Sequence, residues 1–232
     1  MNKICFATGN FHKWNLFPNI NDIITFLKQY PFYGLELTFG HPDEVDEFSI
    51  SDENKEYLRS LKYLSIHLPF RYTYKKDEST KILINKIIKI IKELNVQSVV
   101  VHQDNIVDSY YINKIPVQKC IENLTPRHGF SIDDYKTFLA ENKDYKIVID
   151  TTHALHNSIN HLKELLENLK DDIHQFHWSE HDGVKKHLPI HLNYNNLKEL
   201  IYPFNIPIVI EAIYPPDNLD SFNKDMKFLN MV

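Results

Sequence analysis

The chain has little glycine and almost no cysteine: five glycines and two cysteines among 232 residues. Cys5 and Cys120 lie far apart, which gives neither a disulfide framework nor a zinc-knuckle spacing, and a reducing cytoplasm is the expected home. With so few glycines there is no Gly-rich phosphate loop, so the usual nucleotide-binding folds have no anchor and no organic cofactor is expected. No run reaches about 18 apolar residues, and Met1-Asn2-Lys3-Ile4-Cys5-Phe6 enters a strand directly. Neither a membrane span nor a signal peptide is therefore expected. A net charge of −5 gives no electrostatic bias toward nucleic acid or anionic membrane. Arginine is scarce, with only Arg59, Arg71 and Arg127. No linker-like stretch or break in composition divides residues 1–232, so one domain is expected.

What is abundant is a repeated unit. Eight short apolar runs begin near Lys3, Gly34, Tyr63, Gln97, Val117, Tyr145, Ile173 and Ile206. Runs such as Ser98-Val99-Val100-Val101-His102 read as buried parallel strands. Helical periodicity fills the gaps: residues 80–94 set lysines against an isoleucine-rich face, 158–170 repeat that pattern behind Ser158, and further helices open at Ser131 and near Asn218. Eight strands alternating with about eight helical segments predict an α/β fold, a single (β/α)8 TIM barrel slightly shorter than the typical length of about 250 residues, with a doubly wound open sheet as the alternative.

Seven of the eight runs end in an acid or a histidine: Glu36, His67, His102, Glu122, Asp150, His177 and Glu211. Side chains alternate along a strand, so Ser98 and Val100 share a face with His102, Ser65 with His67, and Cys120 with Glu122. Small residues thus lead up to polar tips, which a barrel gathers at its C-terminal mouth. Thirteen histidines are many for this length. A histidine taken alone is ordinarily structural, but His67, His102, His153, His177, His187 and His191 invite the question of convergence. Buried Glu122, Asp150 and Glu211 repel one another unless a cation offsets them, and imidazole with carboxylate suits Zn, Mn, Co or Fe. Glu122, Asp150, His177 and Glu211 come from adjoining strands and can share one divalent ion; His67, His102 and Glu122 can form a second site.

The succession His67, His102, Glu122-Asn123, Asp150-Thr-Thr-His153, His177-Trp-Ser-Glu180, His187-Leu-Pro-Ile and Glu211 resembles the xylose isomerase-like TIM-barrel superfamily, which includes sugar isomerases, sugar epimerases and endonuclease IV. In the epimerase branch the resemblance implies one metal ion on Glu122, Asp150, His177 and Glu211. Glu122 and Glu211 would also act as catalytic proton carriers to a carbon beside a carbonyl, and His153 would touch substrate oxygen. In the endonuclease IV branch it implies three zinc ions on His67, His102, Glu122, Asp150, His153, His177, His187 and Glu211, cleaving DNA at abasic sites. One expected ligand is absent there, because Lys185 stands where that branch has an aspartate. The Gly-x-Gly usual after the last histidine is replaced by Leu188-Pro189-Ile190, and the chain is too short for many DNA-entering loops.

On these grounds the expected function is a metal-dependent isomerase or epimerase of a small sugar or sugar phosphate, with His67, His102, His153 and His187 as further substrate contacts and Glu36 touching either the substrate or a histidine. The alternatives are an endonuclease IV-like hydrolase, for which DNA is the partner, and a non-catalytic metal-binding barrel. Glu180 is expected to steady a histidine ring. Arg127 and His128 are candidates for a substrate phosphate. Lys75-Lys76 and Lys185-Lys186 are either phosphate grips or solvated surface. Trp178 is expected to pack, and Phe11 and Trp14 to wall the pocket.

Overall fold

The computed structural model describes residues 2–11, 16–125, 129–216 and 218–231. Eight parallel strands close on themselves in chain order: β1 (Ile4–Ala7), β2 (Gly34–Thr38), β3 (Tyr63–His67), β4 (Ser98–His102), β5 (Gln118–Glu122), β6 (Tyr145–Asp150), β7 (Ile173–Trp178) and β8 (Ile208–Ile210). The expected barrel is therefore present, and each strand starts within two residues of the position read from the sequence. Between and after them lie α1 (Ile20–Leu27), α2 (Pro42–Asp46), α3 (Asp52–Ser60), α4 (Glu78–Leu94), α5 (Ile132–Glu141), α6 (Thr151–Leu155), α7 (Ile159–Leu169), α8 (Lys198–Ile201) and α9 (Asp220–Phe228).

The longest helix shows why these segments coil. Asp77 caps α4 by accepting from Thr80 N at 2.9 Å, and Asn95 ends it in the left-handed conformation, at φ 58°. Its face of Leu83, Ile84, Ile87, Ile90, Ile91 and Leu94 is buried against the barrel wall. A capping box between Ser131 and Asp134 starts α5, and Ser158 starts α7. The strict alternation of strand and helix fails after β4, where the described residues form only short 3-10 turns at Gln103–Asn105 and Ile112–Lys114. That stretch is rich in Asn, Asp, Ser and Tyr and has no apolar stripe with which to pack a helix.

The apolar core lies outside the barrel, between strands and helices, where Leu35, Leu37, Ile66, Val99, Val101, Ile121, Ile149 and Phe176 are fully buried or nearly so. Inside, small side chains occupy the wall: Cys5, Ala7 and Val209 on one side, Val100, Cys120 and Val148 on the other. Both cysteines are free and buried. No described helix is long and apolar enough to cross a membrane. Two features set the site's height. β2 runs on to Thr38, so Glu36 lies inside the barrel rather than at its rim, and β8 stops at Ile210, so Glu211 is the first residue beyond it.

Candidate metal centre

The floor of the site is a buried polar network. Tyr63 Oη donates to Gln175 Oε1, which turns the amide so that its Nε2 donates to Glu36 Oε2 at 2.8 Å. Ser65 Oγ donates to the same oxygen at 2.8 Å, while Glu36 Oε1 lies 3.2 Å from His177 Nε2. His177 Nε2 also lies 2.9 Å from Gln175 Nε2, so the floor engages this nitrogen and leaves Nδ1 turned to the mouth. Glu36 is fully buried and does not line the cavity. Of the substrate or histidine contact expected of it, the structure gives the histidine.

Above this floor stands the ring. His177 Nδ1 lies 3.0 Å from Glu211 Oε2 and 3.4 Å from Glu122 Oε2. The same Glu122 oxygen is 3.1 Å from His67 Nε2 and 3.7 Å from His102 Nε2, and Glu122 Oε1 is 3.1 Å from His153 Nδ1. Four imidazoles therefore enclose one carboxylate that is 1% exposed. Carbonyls fix two more rings. His67 Nδ1 donates to Leu68 O at 3.0 Å, leaving Nε2 as the ligand atom, and His187 Nδ1 faces Glu211 O at 3.2 Å. Asp150 caps α6 by accepting from His153 N at 2.7 Å, so the helix turn that follows carries His153 over the same mouth. Asn123 holds the ends of β5 and β6 together, donating to Asp150 O at 3.1 Å and accepting from Asp150 N at 2.6 Å.

Three groups of side chains have ligand atoms close enough to share an ion: His67, His102 and Glu122; Glu122, Asp150, His177 and Glu211; and Asp150, His153 and His187. Glu122 belongs to two groups and Asp150 to two. The third group assembles without any contribution from position 185. Asp150 Oδ2, His177 Nδ1 and Glu211 Oε2 are buried and make no hydrogen bond of acceptable geometry. Buried polar atoms are rarely left so, and three of them converging with hard and borderline donors fit a divalent cation.

Electrostatics points the same way. Burial pushes Glu122 up, but the imidazoles of His177 and His102, with hydrogen bonds from His153 and His177, outweigh it and hold the group well below the carboxylate range. Burial pulls His153 down, yet Asp150 and Glu122 lift it to about 10. His177 is likewise raised, by Glu36, Glu211 and Glu122 against the same burial. His102 goes the other way, its burial lowering it to about 4, so it stays neutral and ready as a ligand. Protons on His153 and His177 stand where cations would otherwise balance the carboxylates.

His67, His102, Glu122, His153, His187 and Glu211 line a cavity of about 780 Å³ at the mouth, with Asn10, Arg71 and Lys186 among its other walls. Asn10 went unnoticed in the sequence; its Nδ2 donates to Ile210 O at 2.8 Å and ties the loop after β1 to the end of β8. Several expected roles change. Phe11 is buried in an aromatic cluster with Phe6, Phe17, Phe26 and Phe222 and does not wall the cavity. Glu180 accepts from Asn195 Nδ2 at 2.9 Å rather than steadying a ring imidazole. His191 turns away to Asp225. Lys76 lies over the Tyr110 ring and Lys75 faces Asp77 at 3.9 Å, both outside the cavity. Trp178 packs against Tyr202 and Phe228 as expected. Trp14, Arg127 and His128 lie outside the described residues.

Neither a protein-family model nor a curated protein sequence matches the chain. Solved structures match it over nearly its whole length. A D-tagatose 3-epimerase-like protein superposes with a TM-score of 0.67 at 17% identity, over 98% of this chain and 96% of that one. The 3-keto-D-glucoside 4-epimerase from E. coli gives 0.65 at 14%, over 100% of each chain. Endonuclease IV from Thermus thermophilus gives 0.60 at 11%, over 97% of this chain and 99% of that one. The chain thus shares its barrel fold with sugar epimerases and a nuclease alike.

Proposed function

We propose that the chain is a divalent-metal-dependent hydrolase of phosphodiesters in nucleic acid, with abasic sites in DNA as the first substrate to try. The observation that carries this reading is the enclosure of Glu122. Both of its oxygens face imidazole nitrogens, from His153 on one side and from His67, His177 and His102 on the other. A carboxylate so surrounded is placed to bridge ions. An epimerase instead uses each of two glutamates to carry a proton to a substrate carbon.

Ions held by the three groups would neutralise a phosphodiester and ease the ionisation of water. His67, His102 and Glu122 would hold one; Glu122, Asp150, His177 and Glu211 the second; Asp150, His153 and His187 the third. Glu211 has the most exposed side chain of the four acids in or under the ring, at 23%, and it lines the cavity. The imidazole of His177 overcomes its burial and keeps it ionised, which suits it to hold an ion at the cavity. Incubation of metal-loaded protein with duplex DNA containing an abasic site is expected to cut the strand there, and Glu122→Gln to abolish the cut. Intact DNA with the wild type would remove the reading.

The isomerase or epimerase of a small sugar stays as the second reading. Glu122, Asp150, His177 and Glu211 form a complete one-ion group on their own, and the cavity's volume suits a small molecule. Exchange of a substrate C–H proton in D₂O, across a panel of ketoses and aldoses, together with about one bound ion per chain, would favour it over hydrolysis.

A further inference from the structure

The rim of the cavity carries a cation that the metal centre leaves unused. Arg71, in the loop between β3 and α4, donates its backbone N–H to Gly40 O at 3.0 Å, and its guanidinium lies 5.7 Å from the Phe70 ring centroid. Its Nη1 is 3.1 Å from His41 Nε2. A guanidinium only donates, so His41 accepts there. One of five N–H groups is thereby occupied, and Arg71 forms no ion pair with a described residue. Glu44, which also lines the cavity, turns an oxygen to Gly40 N at 2.7 Å instead. Asp104 is the other acid on this stretch of wall.

The placement relative to the ring is also defined. The Phe70 ring that carries Arg71 on one contact stacks on His102 by another, at 5.9 Å between centroids and 25° between planes. Arg71 is thus two ring contacts away from the group of His67, His102 and Glu122. Across the mouth, Lys186 in the loop after β7 lines the same cavity. A cation fixed by its backbone, by a ring and by an imidazole nitrogen, with the rest of its fork of donors left for a ligand, suits a phosphate better than a lysine would.

We infer that Arg71, set by His41 and Phe70, forms an anion subsite that takes a phosphate of the substrate lying next to the one at the metal centre. The inference rests on the proposed hydrolysis of nucleic acid, in which successive phosphates flank the reacting one, with Lys186 facing the strand on the other side.

The test compares wild type, Arg71→Met and Arg71→Lys in metal-loaded protein on a duplex with an abasic site and on bis(4-nitrophenyl) phosphate, which has no neighbouring phosphate. Arg71→Met is expected to weaken oligonucleotide binding about tenfold more than it impairs the small diester. It should also reduce the salt slope of binding by about one, with partial rescue of both by lysine. Equal losses on both substrates, or an unchanged salt slope, overturn the subsite. If the wild type cuts neither diester, the hydrolase reading fails separately, and binding of D-fructose 6-phosphate against D-fructose then examines Arg71 alone. A loss in Arg71→Met confined to the phosphorylated sugar keeps the subsite and assigns it to a sugar phosphate; no loss overturns it.

Discussion

His177 serves the centre through an atom it does not itself choose. Glu36 engages Nε2 and so presents Nδ1 to Glu122 and Glu211, while Ser65 and Gln175 hold Glu36 in place. Replacing Glu36 by Gln keeps acceptors for Ser65 and Gln175 but weakens the hold on the imidazole. Zinc affinity, measured by calorimetry, should fall by about 10–100-fold with little loss of fold; an unchanged affinity would show that Glu36 has no part in setting the ring. The alternation of side chains made Glu36 legible as an inward-facing acid, and Gln175 stands two residues before His177 on the same face. What could not be read was depth. Residue type marks a face of a strand, but pairing and neighbouring loops decide where the strand stops, and β2 continues two residues past Glu36. The Arg71–His41 contact was equally hidden, because it joins two loops whose courses no periodicity records.

Among the elements, β strands and the long helices followed from local pattern, since period 2 and period 3.6 are properties of the sequence itself. Connections did not. The turns after β4 and the hairpin closed by Glu180 and Leu188 depend on Asx turns, such as Asp182 Oδ1 accepting from Val184 N at 2.9 Å, and on contacts with distant chain. Register imposes its own demand at the start of β2. Gly34 pairs with Tyr63, and a Cβ on Gly34 would sit 2.2 Å from Tyr63 O, a backbone atom that cannot swing aside. Gly34→Ala should cost about 1–3 kcal/mol in denaturant unfolding, whereas a cost near zero would mean that β2 and β3 slide apart easily. The last helix has a comparable dependence. Asp225 of α9 is fully buried and accepts from Tyr214 Oη at 2.8 Å, from His191 N at 2.9 Å and from the His191 ring, pinning α9 to the segment that follows His187. Asp225→Ala leaves those donors unpaired and should destabilise by at least about 2 kcal/mol. Unfolding at the wild-type midpoint would contradict that.

For the molecule as a whole, the centre couples stability to pH in opposite senses with and without metal. In metal-free protein His153 is raised to about 10 from the usual histidine value of 6.5, and His177 is raised as well. A raised imidazole stabilises the fold fully below its unfolded pKa, and that contribution is lost as pH climbs through the folded value. The metal-free barrel should therefore lose stability between about pH 6.5 and 10. Glu122 and Glu211 are lowered, so their contribution is already complete above the ordinary carboxylate range and stays constant across this window. His102, lowered to about 4, is neutral throughout it. Metal binding requires the imidazoles to give up their protons, which costs less as pH rises, so the loaded protein gains over the same interval. The gap in melting temperature between zinc-loaded and chelator-treated protein should accordingly widen from about pH 6.5 to about 9. A gap that stays constant would mean that His153 and His177 release no proton to the ion, and that the ring of carboxylates and imidazoles is balanced some other way.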